Sequence, residues 1–243
     1  MPRFFVPKQE IGSSFLVLTE ENAAHAKVLR LKNGDDVTVC DGEGTDYTCT
    51  VSDVATGQVS LVVRSADPSQ SEPKVACSVY MAFAKADKFE HVIQKATELG
   101  ATELICFPSA RCVSKPDEKS LSKKLERWQK IAASAAEQSR RGRIPRVIAL
   151  SSYAEALSRA AEADLAVCFY ENEDHLTFRA AIETAPFRTA SILTGPEGGF
   201  EPEEISQAAS AGLKICTLGS RILRCETAPL CALSALMYAA GEF

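Results

Sequence analysis

Leu193-Thr194-Gly195-Pro196-Glu197-Gly198-Gly199-Phe200, followed by Glu201-Pro202-Glu203-Glu204-Ile205, is the stretch that decides how this sequence is read. Ser191–Leu193 is a short apolar strand candidate. Pro202 with Glu203 and Glu204 suits a first helical turn, where proline needs no amide partner and carboxylates complement the helix N-terminus. A glycine-rich segment between strand and helix is the loop at the carboxyl end of a strand, which is where open α/β sheets bind ligands. Glycine there lets the backbone approach a ligand closely. The segment lacks the Gly-Lys-Ser/Thr ending of a nucleoside-triphosphate loop and the Gly-x-Gly-x-x-Gly spacing of a dinucleotide fold. Glu197 would repel phosphate and favours a ligand with positive charge. Taken alone, a plain glycine-rich turn also stays open.

A second loop of the same kind follows: Leu218-Gly219-Ser220-Arg221-Ile222-Leu223-Arg224-Cys225-Glu226-Thr227-Ala228-Pro229. It too lies between a strand candidate, Ile215–Leu218, and a helix that starts near Thr227. Ile222 and Leu223 suit the wall of a pocket for an adenine, and the arginines suit a phosphate or a developing oxyanion. An exposed basic loop with a structural Arg–Glu pair is the alternative.

Outward from these loops, strands and helices alternate. Cys77–Phe83, Glu103–Phe107, Val147–Leu150 and Leu165–Tyr170 are apolar strand candidates. Lys88–Leu99 is helical, with Phe89, Val92, Ile93 and Ala96 at helical spacing and Gly100 as its stop. Leu121–Ser139 is a long helix, and others start near Ser152 and Pro202. Such alternation predicts a parallel sheet covered on both faces.

The segment Ser65–Pro73, rich in serine and proline, reads as a linker. The texture before it differs. Val37–Cys40, Tyr47–Val54 and Val59–Arg64 are short β-prone runs separated by turn signals, and Glu20–Leu31 is helix-like with Thr19 as its N-cap. A small β-barrel is expected over residues 1–72, and an α/β domain over 73–243.

Bulk properties narrow the class. The charge of −5 does not advertise a nucleic-acid partner, so any RNA contact must come from local basic patches. No run of about 18 apolar residues exists and the start is not a secretory signal, so no membrane association is expected. Nine scattered cysteines without a Cys-x-x-Cys pair, and only three histidines, give zinc little to bind. No metal is expected, and the cysteines read as reduced core residues of a cytoplasmic protein.

With both loops in hand, the chain resembles the bacterial family that methylates N3 of a uridine in small-subunit (16S) ribosomal RNA, of the SPOUT class of knotted methyltransferases. The resemblance spans essentially the whole chain. It includes Pro2-Arg3-Phe4-Phe5, His25 with Val28-Leu29-Arg30, Lys88 through Lys95-Ala96-Thr97-Glu98-Leu99-Gly100, Arg111-Cys112, Trp128–Ala132 and Glu137-Gln138-Ser139. Its most specific parts are Thr194–Gly199 and Leu218–Arg224. Cys225 departs from the threonine usual in that family, which weakens any role for a hydroxyl there.

The resemblance implies a trefoil-knotted catalytic domain, a PUA-type RNA-binding barrel in front of it, and a homodimer acting on 16S ribosomal RNA or the small subunit. It implies S-adenosylmethionine as cofactor, whose sulfonium fits the charge preference of the first loop. The residues expected to hold it are Leu193, Thr194, Gly195, Glu197, Gly198, Gly199, Leu218, Gly219, Ser220, Arg221, Ile222 and Leu223. Glu226 is the candidate base for the uridine N3 proton and Arg224 the candidate stabiliser of the resulting anion. Arg3, Arg30, Lys88, Lys95, Arg111, Arg140, Arg141 and Arg143 are the candidate RNA contacts. Another SPOUT enzyme, acting on transfer RNA or a ribose 2′-hydroxyl, and a non-catalytic RNA-binding assembly factor are the competing readings.

Overall fold

The computed structural model describes every residue except Ala86 and Lys115. It contains two compact units. The first comprises Met1–Glu72 together with Ala136–Ile144, and the second comprises Pro73–Ala135 with Pro145–Phe243.

In the first unit, β1 (Arg3–Phe5), β2 (Phe15–Thr19), β3 (Asp36–Cys40), β4 (Thr45–Ala55) and β5 (Gln58–Pro68) form one sheet in the order β1-β3-β4-β5-β2. All neighbours are antiparallel except β1 and β3. β1 and β2 end the sheet, so the expected barrel is only half closed. Its inner face buries Phe4, Leu16, Leu18, Val37, Val39, Val51 and Leu61 at every second strand position, the period of a pleated strand. Helix α1 (Glu20–Val28) adds Ala26 to this core.

A linker is expected at Ser65–Pro73, but the first half of that segment is strand. Ser65, Ala66, Asp67 and Pro68 pair with Thr48, Tyr47, Asp46 and Thr45. β5 runs past the end of its other neighbour here, because β2 stops at the Phe15–Val62 pair, and a proline is tolerated on such an edge. Residues 136–144 are expected in the α/β domain and instead join the first unit. Glu72 accounts for this. Its carboxylate accepts from the buried Arg141 guanidinium at 2.8 Å and from the Gly142 amide at 2.8 Å. Gly142 is also needed sterically, since an added Cβ would lie 2.3 Å from the Ser69 side chain.

The second unit holds six parallel strands in the order β11-β9-β10-β6-β7-β8. They are β6 (Ala76–Ala82), β7 (Glu103–Phe107), β8 (Arg146–Ala149), β9 (Leu165–Phe169), β10 (Thr189–Thr194) and β11 (Lys214–Cys216). All five residues of β9 and the last five of β10 are buried, as the apolar runs of a doubly covered parallel sheet require. Helices α2 (Lys88–Glu98), α3 (Glu118–Gln138), α4 (Tyr153–Ala160), α5 (Phe178–Ile182), α6 (Pro202–Ser210) and α7 (Thr227–Ala239) connect or follow the strands. α2 buries Phe89, Val92, Ile93 and Ala96, and Phe89 meets Trp128 of α3 edge to face at 4.9 Å. Among the described residues no helix is long and apolar enough to cross a membrane. The cysteines are free thiols, and most are buried.

The Glu72–Arg141 pair makes the first unit sensitive to acid. Burial raises the Glu72 carboxyl, but Arg141 and the amides of Gly142 and Arg143 outweigh it and hold the group below its ordinary value of 4.5. Its contribution is therefore complete above that value and is lost as pH falls through the lower folded value. Glu72→Gln removes the counter-charge of a buried guanidinium and should cost about 3–5 kcal/mol. Urea unfolding followed from neutral pH to pH below the ordinary value checks both points, with the difference between wild type and variant shrinking in acid.

Candidate active site

β10 lies between β9 and β6, and β11 flanks β9 on the other side. Because all these strands are parallel, the loops after β9, β10 and β11 emerge at the same end of the sheet. They enclose a pocket of about 800 Å³, lined also by Lys88 at the start of α2.

The glycine loop is built as a tight turn. The Gly199 amide donates to the Pro196 carbonyl at 3.0 Å, and Gly199 adopts φ = +69°. That left-handed backbone is what favours glycine, and a Cβ there would also displace the exposed end of the Glu171 side chain, whose Oε1 would lie 2.1 Å away. From outside the pocket, Arg111 clamps the turn. Its guanidinium binds Glu201 through two nitrogens at 2.7 and 2.8 Å and donates to the Gly198 carbonyl at 2.9 Å. Glu201 and Glu204 form a capping box that starts α6 at Pro202, as the proline and acidic residues foretell.

The second loop turns at Gly219, with φ = +102°, and its Gly219 amide donates to Thr217 Oγ1 at 3.1 Å. It ends where the Thr227 and Ala228 amides donate to the Arg224 carbonyl, opening α7. Ile222 lines the pocket yet is 85 % exposed, an apolar side chain left largely uncovered.

Three charged groups meet between the loops. Lys88 Nζ lies 3.3 Å from Glu197 Oε1 and 3.4 Å from Glu226 Oε2. Desolvation raises both carboxyls, but hydrogen bonds to the charged form outweigh it and hold both below their ordinary range. For Glu197 these come from the Lys85 amide, its own amide and Lys88; for Glu226, from its own amide, the Cys225 thiol and Lys88. Burial pushes the Cys225 thiol up to about 11, which keeps it a neutral hydrogen-bonding group.

The pocket brings together Thr194, Gly195, Glu197, Gly198, Gly199 and the run Leu218–Arg224, all anticipated from the two loops. Leu193 is not among its lining residues; it is fully buried within β10. Glu226 reaches the site through Lys88. The loop after β9, with Tyr170, Glu171, Glu173 and Asp174, also lines the pocket and is not anticipated. The strand before it is legible, and the only signal for the loop is that it carries four ionisable groups in five residues, Tyr170-Glu171-Asn172-Glu173-Asp174.

The candidate RNA contacts divide. Arg141 is buried on Glu72, and Arg3 binds Asp46 at 2.6 and 2.7 Å and the Arg141 carbonyl at 3.1 Å. Both guanidiniums serve the interior of the first unit, which corrects the expectation that they face phosphate: their geometry satisfies a nearby carboxylate instead. Lys95 pairs with Glu98 at 2.8 Å, Arg111 holds the glycine loop, and Lys88 stands inside the pocket. Arg30, Arg140 and Arg143 remain exposed.

Comparison with known proteins agrees with this arrangement. Residues 71–237 match the family described as an RNA methyltransferase domain, and residues 18–64 match an RNA methyltransferase PUA domain. The chain is 37 % identical to the ribosomal RNA small subunit methyltransferase E of Bacillus subtilis, over 98 % of this chain and 96 % of that protein. The crystal structure of a ribosomal RNA small subunit methyltransferase E from Neisseria gonorrhoeae bound to S-adenosyl methionine superposes with a TM-score of 0.87 at 30 % identity, over 98 % and 97 % of the two chains. A Legionella pneumophila methyltransferase in complex with the same cofactor gives 0.84 at 28 %, over 98 % and 97 %. A strand-end pocket between two glycine-bearing loops, the matching domains and these full-length relatives lead to one assignment: the chain belongs to the RNA methyltransferase family, in the group named ribosomal RNA small subunit methyltransferase E.

Proposed function

We propose that the protein transfers a methyl group from S-adenosylmethionine to N3 of a specific uridine in 16S ribosomal RNA, in the cytoplasm and as a homodimer of the SPOUT class with a trefoil knot at the pocket loops. The observation that carries this reading is the pocket that the glycine loop and the arginine loop form together. Its volume suits a nucleoside-sized ligand. The carboxylates of Glu171 and Glu197 beside the glycines suit a ligand with positive charge, and Gly199 offers the close backbone approach that such a ligand needs.

S-adenosylmethionine would supply an electrophilic methyl on its sulfonium. The residues that would hold it are those of the two loops, Thr194 to Gly199 and Leu218 to Leu223. The protein's own tasks are then alignment and charge control. Alignment of reacting groups supplies a large part of such a rate. The target base must leave its stack to reach the pocket, as for other base-modifying enzymes. The N3 proton of uridine must leave before its lone pair can react. Glu226, ionised at neutral pH, is the acceptor in this reading. Its low proton affinity makes it a weak base, so the uridine anion needs stabilisation, which falls to the exposed guanidinium of Arg224. Arg30, Arg140 and Arg143 are the basic side chains we assign to phosphate contacts.

The homodimer reading draws on α7. One side of this helix buries Leu233, Leu236 and Met237, while Cys231, Ala235 and Tyr238 are exposed, with Tyr238 74 % exposed. An apolar face of this kind is what a self-complementary interface uses.

Mass mapping of 16S ribosomal RNA from a deletion strain tests the function. Loss of one methylated uridine, restored by the intact gene, is expected; an unchanged modification pattern sinks the reading. Glu226→Gln should lower single-turnover methylation, measured at saturating S-adenosylmethionine, by about a hundred- to ten-thousand-fold. Near-normal turnover would instead leave the proton to solvent or to the RNA. Gly199→Ala should weaken cofactor binding in calorimetry by about tenfold, because a side chain strains the left-handed backbone of the loop. Tyr238→Asp should shift the protein to monomer in sedimentation.

A further inference from the structure

Lys88 does not behave as a surface lysine. It is the first residue of α2, a helix anchored by Phe89, Val92 and Ile93, so the root of its side chain is fixed by the core. Its ammonium has three donors and three partners: Glu197 Oε1 at 3.3 Å, Glu226 Oε2 at 3.4 Å and Cys225 Sγ at 3.6 Å. Glu197 belongs to the glycine loop, whereas Cys225 and Glu226 close the arginine loop. One cation on a rigid helix therefore touches both walls of the pocket.

The partners are turned toward it at some expense to themselves. Glu226 occupies the N-cap position of α7 but makes no side-chain capping bond there. Its carboxylate instead faces Lys88 and accepts from the Cys225 thiol at 3.3 Å. The same Glu197 oxygen also accepts from the Lys85 amide at 2.9 Å. Without the ammonium, two carboxylates from opposite loops would face each other across the gap, and like charges would push the loops apart.

We propose that Lys88 is a positioning residue that sets the separation of the two pocket loops, and not an RNA contact as its basic character alone suggests. Two carboxylates already offset its charge, which leaves little to attract a phosphate. The proposal deepens the methyl-transfer reading and relies on it only for the turnover measurement.

The test uses the full-length protein with Lys88→Met, Lys88→Arg and the double variant Glu197→Gln/Glu226→Gln. Removing a cation would by itself tighten binding of a sulfonium ligand, so the sign separates positioning from charge. Lys88→Met should weaken both S-adenosylmethionine and the uncharged S-adenosylhomocysteine by about ten- to hundredfold in calorimetry, the size of a lost charged hydrogen bond. Lys88→Arg should recover part of the loss. Amide exchange of residues 195–199 and 219–226, measured without cofactor, should quicken in Lys88→Met, and filter-binding affinity for 16S ribosomal RNA should not change. Adding Lys88→Met to the double variant should cost little more, because the three groups act as one unit.

Unchanged affinity for both ligands, tighter binding of S-adenosylmethionine alone, additive losses, or a loss confined to RNA affinity would each overturn the proposal. If Lys88→Met does not fold, the double variant decides by the same amide exchange, and wild-type exchange in the two loops refutes it. Absence of methylation by the wild type would count against the proposed reaction, while the ligand and exchange measurements would still judge Lys88.

Discussion

The constraint on which the second unit depends is the burial of a parallel sheet on both faces. The strands β6, β9 and β10 are mostly buried, so none can lie at a wet edge, and each must be followed by a return over the sheet. Parallel strands point the same way. Their following loops are therefore delivered to one end, and the placement of β10 between β9 and β6 brings three of them around one hollow. The pocket is a consequence of strand order, before any side chain in it is considered.

Charge is then distributed within that hollow with little slack. The carboxylates of Glu197 and Glu226 are both held ionised, one against the amide of Lys85 and both against Lys88. Glu171 lies against Gly199, and Arg111 holds the Gly198 carbonyl. Arg221 and Arg224 stand on the more exposed loop. A site that is acidic around its glycines and basic at its outer loop suits a cationic ligand within and a polyanion outside, which is the division of charge that the proposed reaction needs.

The first unit shows the opposite use of basic residues. Arg3 and Arg141 look like RNA contacts in a sequence of net negative charge, yet each is bound to a carboxylate within the unit. The Glu72–Arg141 pair also helps to join the loop after α3 to the first unit, together with the bonds of Cys40 and Ser71 to the carbonyls of Gly142 and Arg140. A basic run says that cations are present; only partners at hydrogen-bond distance say whether they are available.

Much of the second unit is legible from residues alone. The helical spacing of Phe89, Val92, Ile93 and Ala96, the apolar run of β9 and the Pro-Glu-Glu start of α6 are local signals, and local backbone preference and burial period determine them. The two loops are legible for the same reason, because glycines set between an apolar strand and a helix start mark a strand end where the backbone can approach a ligand. The strand order, the entry of Glu171 into the site, the extension of β5 through Pro68 and the transfer of residues 136–144 to the first unit are not legible. Each rests on pairing between segments distant in the chain, as Glu72 with Arg141 or Thr45 with Pro68. Sequence determined which elements form and which loops can bind. Tertiary structure decided which of them meet, because a contact across a fold depends on how buried faces pack and on which charges that packing brings within reach of each other.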